Sequence, residues 1–409
     1  MNIINKTNHY CFKDTIGFRA EIVVFLVSAI YFGLLVLCRV GTDLPAHAKY
    51  VRDVVAGVVP PPANFMYYLA VYLFSLGNVE SLWWLGFSTV LLMGLVLAAK
   101  FAITRRLLAE SLAEASDSPR QGWLSPERLS LLLAIALLFM ENLPMRLFGV
   151  GNYYLGQIPP NVWHNSTTIF LMPFALLLFQ RSWLQLQNPS NKDALKSILL
   201  LVVLNALVKP SFLFAFVTVY PVFMLRATAR KAGAAKQYVV NMIPVAVAGV
   251  LVVALYAAVY FYSFNAIAQQ FVGQSKVVVR PFLVWSRFSP NIPLSLMLSL
   301  VFPIVYLILH PTELCNEQLR YVWSLYVVSV LIFILFAETG PRLYHGNFLW
   351  QASICSYILF LVTCSRYGAR LIELGAWAWR NVVLSLCLLV HLLSGLVYMS
   401  SILIQGSYH

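Results

Sequence analysis

A carboxylate and an imidazole lie one helical turn apart in the segment TDLPAHAKY, which follows the first long apolar stretch of the chain. Asp43 precedes His47 by four residues, a spacing at which two side chains meet on one face of a helix. A partly buried carboxylate beside a histidine can act as a general base. Thr-Asp-x-Pro is also a common start of a helix, so a pure helix-capping role for Asp43 is the alternative.

Amide and aromatic side chains alternate in a second segment, NYYLGQIPPNVWHN. Amides form directional hydrogen bonds with hydroxyl groups, and flat rings pack on the C–H faces of sugars. The composition therefore predicts a sugar-binding surface formed by Tyr153, Tyr154, Gln157, Asn161, Trp163 and His164. For the rings, the alternative is the aromatic belt that membrane proteins carry at their interfaces.

Cations stand at the ends of later apolar stretches. Lys209 lies in ALVKPSF, and Arg280 and Arg287 lie in VRPFLVWSRF without an acidic neighbour. Because Arg and Lys bind phosphate oxygens, these positions predict an anionic ligand, with snorkelling at the interface as the alternative. A further segment, AETGPRLYHGNFLWQ, adds Glu338, Arg342, His345 and Asn347 to the predicted site.

Three histidines, His47, His164 and His345, are predicted to hydrogen-bond the acceptor or a phosphate. No pair of carboxylates accompanies them at the spacing of metal ligands. The sequence therefore predicts no metal site and no cofactor, and it leaves the need for a divalent cation to experiment.

The elements that must position these residues are membrane helices. Of the 409 residues, 60% are hydrophobic and 11% are charged, and the apolar residues form blocks near the ~20 residues that cross a bilayer. This excludes a soluble enzyme and predicts an all-α polytopic protein, a single transmembrane domain over residues 1–409. Eleven spans are predicted at 20–39, 81–104, 129–147, 166–180, 195–208, 211–226, 238–263, 291–309, 320–337, 348–365 and 381–403.

The charge distribution predicts the orientation. The net charge is +13, and a cytoplasmic N-terminus places roughly two thirds of the Lys and Arg residues on the cytoplasmic side, as the positive-inside rule requires. The excess of positive charge therefore reflects the topology and indicates no nucleic-acid partner. Residues 105–128 form a cytoplasmic loop, and residues 40–80 form an outer loop whose short apolar run, 64–77, lies at the interface.

The order of these segments resembles the GT-C superfamily of integral-membrane glycosyltransferases, in particular the bacterial lipid A aminoarabinose transferases and the protein O-mannosyltransferases. The matching segments are TDLPAHAKYVRDVVAG, PPPANFMYYLAVYLFSLG and WWLGFSTVLLMGLVLAAKFAITRRLL, and ALVKPSF resembles the lysine that the family carries in a turn before proline. The likeness covers residues 1 to about 230. Where the family often has Asp-Glu, this chain has Thr42-Asp43-Leu44.

The resemblance implies transfer of a sugar from a polyprenyl phosphate donor to a hydroxyl of a glycan, glycolipid or protein, on the outer side of a bacterial inner membrane. Asp43 would take the acceptor proton, the anomeric carbon would be inverted, and Lys209 with Arg280 or Arg342 would neutralise the leaving phosphate. The alternatives are an O-antigen polymerase or ligase, which would rely on the later arginines and His345, and a flippase or transporter.

The orientation predicts which introduced cysteines are reachable from outside the cell. In a variant without native cysteines, Lys276→Cys should react with a membrane-impermeant thiol reagent in intact cells, because it lies in a predicted outer loop. Ser118→Cys, in the predicted cytoplasmic loop, should react only after permeabilisation. The reverse pattern of labelling would show that the topology is inverted.

Overall fold

The structure is a computed structural model that describes residues 15–59, 61–114, 125–151, 153–229, 233–260 and 275–406. It is 78% helical. The helices are α1 (Thr15–Leu37), α2 (Asp43–Val55), α3 (Met66–Phe74), α4 (Leu82–Glu114), α5 (Pro126–Phe139), α6 (Ser166–Gln187), α7 (Lys192–Val208), α8 (Ser211–Thr228), α9 (Ala234–Asn241), α10 (Ile243–Tyr260), α11 (Leu283–Phe288), α12 (Ile292–Ser299), α13 (Val301–Leu309), α14 (Glu317–Leu335), α15 (Leu349–Leu374) and α16 (Trp379–Gln405). Short 3₁₀ helices occupy Met145–Phe148, Pro311–Cys315 and Gly340–Arg342.

Asparagine and serine side chains begin several of these helices. Ser125, Asn165, Asn191, Asn291 and Asn316 each accept a hydrogen bond from a backbone N–H in the first turn of the helix that follows. Such caps satisfy N–H groups that have no partner within the helix. The helix starts are therefore encoded locally, even where the apolar run itself continues.

Within the described residues, eight helical segments are long and apolar enough to cross a membrane, with α9 and α10 counted together. The pair α12–α13, bent by 70°, makes a ninth if it is one span. This confirms an all-α polytopic membrane protein. Each of the eleven predicted spans overlaps a helix, but α5 and α7 have only 14 and 17 residues, so the count of eleven stays a prediction.

Helix α15 is the centre of the bundle, because 89% of its apolar window is buried. It packs against α4, α5, α6, α8, α14 and α16. By contrast, only 11% of the window in α9–α10 is buried, which leaves that span at the periphery. Two neighbours of α15, α6 and α8, begin at the candidate site, whereas α2 packs against α3 and α4.

Several helices end away from the predicted boundaries of their spans, and α6 and α15 reach Gln187 and Leu374, past the predicted ends at 180 and 365. Helix α4 continues ten residues past position 104, because Leu108 and Leu112 are buried and Arg106 pairs with Glu110 one turn on at 2.7 Å. The predicted cytoplasmic loop therefore starts later, and its residues 115–124 lie outside the described part of the chain, as do 261–263 of the seventh predicted span. Helix α5 ends at Phe139, eight residues before the predicted end of its span.

The predicted outer loop, residues 40–80, contains two short helices, α2 and α3. Helix α3 has nine residues, which at 1.5 Å per residue is far shorter than the ~30 Å hydrocarbon core. Both helices pack against α4. A two-stranded antiparallel sheet, unforeseen from the sequence, pairs β1 (Val277–Val279) with β2 (Phe336–Glu338). It connects the two later loops that are predicted to lie on the outer side.

Backbone outside the α-helices enters the bundle between α5 and α6. We call residues 140–165 the buried loop, because both of its ends are buried, although residues 146–149 and Tyr153 in its middle are exposed and Asn152 lies outside the described residues. Its Glu141 N–H donates to the carbonyl of His391 at 3.1 Å, and its Ile158 N–H donates to Ser299 Oγ at 3.1 Å. Buried irregular backbone requires such partners, because neither a packed interior nor lipid supplies them otherwise.

His391, fully buried in α16, holds the start of the buried loop. Its Nε2 accepts a hydrogen bond from the Phe302 N–H at 3.3 Å, and its Nδ1 lies 2.7 Å from the Glu141 carbonyl oxygen. Since a carbonyl can only accept, Nδ1 carries the proton and the ring is the neutral Nδ1–H tautomer. One imidazole thus joins α16, the break between α12 and α13, and the buried loop.

Helix α16 approaches the end of α5 so closely that Gly395 has no room for a side chain. An added Cβ would lie 1.5 Å from the Phe139 carbonyl oxygen. We expect Gly395→Ala to lower the free energy of unfolding by at least about 2 kcal/mol, because backbone must move. Thermal unfolding of the purified protein measures the loss.

Gly249→Ala is the matched control. Gly249 also lies within a helix, but an added Cβ would meet no atom within 4 Å. This variant should unfold at the wild-type temperature or slightly above it, because alanine favours helix. Equal stability of the two variants would contradict the close approach of α16 to α5.

Candidate functional site

Asp43 lies in the first turn of α2 and contacts the end of the buried loop. Its N–H donates to the His164 carbonyl at 3.1 Å, and its Oδ2 accepts a hydrogen bond from Asn165 Nδ2 at 2.9 Å. The N-cap residue of α2 is Thr42, whose side chain makes no capping hydrogen bond. The carboxylate of Asp43 therefore faces Asn165 and does not cap its own helix. Within the described residues, its Oδ1 has no hydrogen-bond partner.

Asn165 connects Asp43 to Lys209. The Asn165 Oδ1 accepts hydrogen bonds from the Thr168 N–H at 3.0 Å and from Lys209 Nζ at 3.3 Å. Lys209 Nζ also donates to Thr168 Oγ1 at 2.8 Å and to Thr167 Oγ1 at 3.3 Å. One amide thus joins the carboxylate to the ammonium group, and the pair lies at the start of α6.

Helix starts converge on these residues. Asp43 opens α2, Asn165 caps α6, and Lys209 lies two residues before α8. Helix N-termini carry partial positive charge and unpaired N–H groups, which favour a carboxylate or a phosphate. The site therefore combines one carboxylate with several sources of positive potential.

Burial changes the charge balance of the site. Desolvation raises the pKa of Asp43, and the charges of Lys209 and His345 oppose that rise. Desolvation also lowers the pKa of Lys209 to about 7, against the opposing charge of Asp43. The carboxylate becomes a stronger base than an exposed aspartate, and the ammonium group titrates near neutral pH.

His47 lies between two tyrosines beside this pair. Its ring centroid is 5.6 Å from that of Tyr67 and 5.4 Å from that of Tyr68. Desolvation lowers the pKa of His47 to about 4, and the charge of Lys209 contributes to this decrease. The ring is therefore neutral at physiological pH. Trp350, at the start of α15, lies under Lys209, with its ring centroid 5.0 Å from Nζ, and packs on His164.

Three residues of the predicted sugar surface are buried and do not lie at an outer surface. Gln157 is 2% exposed, and Asn161 and Trp163 are each 3% exposed. Gln157 donates to the Leu143 carbonyl at 2.7 Å, and Trp163 stacks on Phe139. The expected surface placement was wrong for these three, because backbone of the buried loop needs the amides as partners inside the bundle.

The two tyrosines of that segment differ from each other. Tyr153 is exposed, with Arg146 over its ring at 5.1 Å. Tyr154 is half-buried, and its hydroxyl donates to the Ser394 carbonyl at 2.9 Å. Neither contacts Asp43 or Lys209 through a described hydrogen bond, so their predicted role in substrate binding stays a prediction.

The loop between α14 and α15 forms a cluster of its own around Glu338, which is buried. Arg342 Nη1 lies 3.6 Å from its Oε1, and Asn347 Nδ2 donates to its Oε2 at 2.6 Å. Tyr260 also donates to the carboxylate. Arg342 is therefore largely neutralised by Glu338. His345, exposed between Arg342 and Asn347, acts on Asp43 by its charge.

Arg280 and Arg287 are exposed and form no ion pair with a described residue. Arg280 follows β1, where its N–H donates to the Leu335 carbonyl at 2.9 Å, and Arg287 lies in α11 with its guanidinium 5.9 Å from the Tyr344 ring centroid. Neither lies within hydrogen-bond distance of the Asp43–Lys209 pair. Their predicted contact with phosphate stays a prediction.

Sequence reasoning missed the partners of Lys209. Asn165-Ser-Thr has the form of a glycosylation triplet, yet Asn165 is buried and both ends of its amide are engaged. An asparagine followed by Ser and Thr just before an apolar run is also the pattern of a helix N-cap, and that pattern could have identified Asn165 and Thr168. Among the described residues, no three His, Cys, Asp or Glu side chains lie close enough together to hold a metal ion.

No protein-family model and no curated protein matches this chain.

The low pKa of Lys209 predicts an unusually reactive amine. Acylation with acetic anhydride, followed by mass spectrometry, should show Lys209 titrating with a midpoint near 7, with exposed Lys236 on α9 as the reference amine. Asp43→Asn removes the charge that favours the ammonium form, so the midpoint should fall. Labelling of Lys209 that follows the same pH curve as Lys236 would contradict the site electrostatics.

Proposed function

We propose that this chain is a membrane glycosyltransferase that moves a sugar from a polyprenyl phosphate to an acceptor hydroxyl on the outer face of the membrane. The observation that supports it best is the link Asp43–Asn165–Lys209, which keeps a carboxylate and a cation beside each other at converging helix starts. Sugar transfer from a lipid phosphate needs both: a base for the acceptor and a positive site for the leaving group.

Asp43 is the general base of this proposal. Asn165 occupies Oδ2, which leaves Oδ1 to accept the proton of the acceptor hydroxyl. As the proton moves, the acceptor oxygen bonds to the anomeric carbon. The bond from that carbon to the phosphate oxygen breaks, and its electron pair leaves with the polyprenyl phosphate. Attack opposite the leaving group inverts the anomeric carbon.

Lys209 and the helix starts stabilise the phosphate as its charge grows. The ammonium group is held in place by Asn165, Thr167 and Thr168, and its charge acts on the phosphate from there. A direct hydrogen bond to a phosphate oxygen would replace one of its two 3.3 Å contacts. Preorganised positive groups of this kind contribute most where charge develops in the transition state. His345, whose charge also reaches Asp43, lies on the exposed side of the site.

The polyprenyl chain has a place beside the site. An apolar groove of about 520 Å³ lies between α2 and α3, lined by residues that include Val51, Val54, Phe65 and Tyr68. Tyr68 also packs on His47. In this proposal the isoprenoid chain occupies the groove along the two short helices, and the phosphate at its end reaches the Asp43–Lys209 pair.

Transport of a lipid-linked sugar is a second candidate, and one observation favours it. Lys100 and Glu141 are buried inside the bundle, and intramembrane ionisable residues often line a pathway. The cavity beside Lys100 measures only about 10 Å³, which is room for about one water molecule. Transfer by the purified protein without a membrane gradient separates the two functions.

The decisive experiment uses purified protein in nanodiscs with radiolabelled polyprenyl phosphate sugars extracted from cells that contain the chain. Asp43→Asn should reduce transfer by about 10²- to 10⁴-fold, because the base is lost. Lys209→Ala should reduce it by about 10²- to 10³-fold and should also weaken binding of undecaprenyl phosphate, measured by native mass spectrometry.

Asp53→Asn is the matched control for the base. Asp53 lies on the same helix and pairs with Arg52 at 3.4 Å, so its loss should leave transfer unchanged. Full activity of Asp43→Asn would refute the assignment of the base. Absence of transfer by the wild type, with translocation of the labelled lipid across vesicles, would favour the transporter.

A further inference from the structure

A buried lysine lies beneath the candidate site. Lys100, in the interior of α4, is 3% exposed. Its Nζ donates to Asn161 Oδ1 at 2.5 Å and lies 3.8 Å from the centroid of the Tyr357 ring. A buried ammonium group is costly, and an apolar side chain of similar volume would often be as stable or more so. Stability alone therefore does not account for a lysine at this position.

Asn161 transmits the contact to the buried loop. Its Nδ2 donates to the carbonyls of Leu137 and Met140 at 2.9 Å and 2.7 Å, which closes the last turn of α5. Lys100 saturates the remaining oxygen of the same amide. The loop between α5 and α6 is thereby fastened to α4 three residues before His164, whose carbonyl holds the Asp43 N–H.

A small cavity links Lys100 to the partners of Lys209. It measures about 10 Å³, and Lys100, Thr168 and Ser353 are among its lining residues. Thr168 Oγ1 is the acceptor nearest to Lys209 Nζ, at 2.8 Å. Ser353 Oγ is buried and has no protein partner among the described residues. The volume fits about one water molecule, which would join these polar groups.

We propose that Lys100 is a positioning residue: through Asn161 it fixes residues 161–168, which give Asp43 two hydrogen bonds and Lys209 three. The proposal rests on the proposed function for its effect on activity, but its structural effect does not. Lys100 touches neither Asp43 nor Lys209 directly, so it acts through the loop. Asn161, predicted as a sugar ligand, has this internal role instead.

Hydrogen–deuterium exchange of the full-length protein in nanodiscs tests the positioning without any substrate. In Lys100→Met, the Asn161 Oδ1 loses its hydrogen-bond donor, and peptides covering 40–45 and 157–168 should exchange about tenfold faster. Peptides from α14 should exchange at the wild-type rate. Lys236→Met, at an exposed position of α9, is the matched control and should change nothing. Unchanged exchange at 157–168, or equal acceleration everywhere, would overturn the proposal.

The pH dependence of kcat is a measurement that general destabilisation of the fold does not change. With the polyprenyl phosphate sugar donor, Lys100→Met should lower kcat by about 100-fold, because Asp43 and Lys209 both lose the contacts that position them for the transition state. Loss of the Asn165 hydrogen bond disfavours the charged carboxylate, so the acid limb of the kcat profile should move up by about 0.5 to 1 pH unit. A wild-type acid limb would overturn the proposal.

Two further variants keep the test decisive. If Lys100→Met does not fold, Lys100→Gln, which retains an N–H donor, should fold and show a smaller effect in the same direction. If Lys100 acts through Asn161, Lys100→Met and Asn161→Leu combined should be no worse than Asn161→Leu alone. Additive losses would refute this coupling. Altered exchange with no transfer by the wild type would instead refute only the proposed function.

Discussion

A buried backbone N–H or carbonyl must find its partner within the protein, and the structure of this chain depends on how the two buried ends of residues 140–165 meet that requirement. The backbone of these ends is not helical, yet it lies within the bundle. His391 of α16 and Ser299 of α12 supply partners from outside the loop, and Asn161 of the loop itself bonds the end of α5. Satisfying the loop therefore also fixes how α5, α12 and α16 sit against one another.

The same loop determines the geometry of the candidate site. The loop ends at Asn165, and Asn165 is both the cap of α6 and the bridge between Asp43 and Lys209. A side chain that must cap a helix has little freedom, so its two remaining contacts are held in place as well. The electrostatics follow from the same enclosure: burial raises the pKa of Asp43 and lowers that of Lys209, while each partly offsets the shift of the other.

The cations that the sequence predicts on the outer side form groups with different contacts in the structure. Lys209 is held at the site, Arg342 is paired with buried Glu338, and Arg280 and Arg287 are exposed. Fewer cations can therefore bind one phosphate than the sequence suggests. Lys209 is the phosphate ligand of the proposed glycosyltransferase because it is held at the site, whereas Arg342 is paired and the other two arginines lie elsewhere.

The sequence by itself determined the membrane class, because apolar blocks of spanning length are a local property that needs no tertiary contact. It also singled out Asp43 and Lys209, since charges at the ends of apolar runs are conspicuous wherever the chain folds. Only the tertiary structure decided what these residues touch. Asp43 and Asn165 are 122 positions apart, and Lys100 and Asn161 are 61 apart. The local sequence does not distinguish an amide that faces solvent from one that bonds a buried helix end. The internal roles of Asn161 and Gln157 therefore could not be predicted from the sequence, because they depend on tertiary packing.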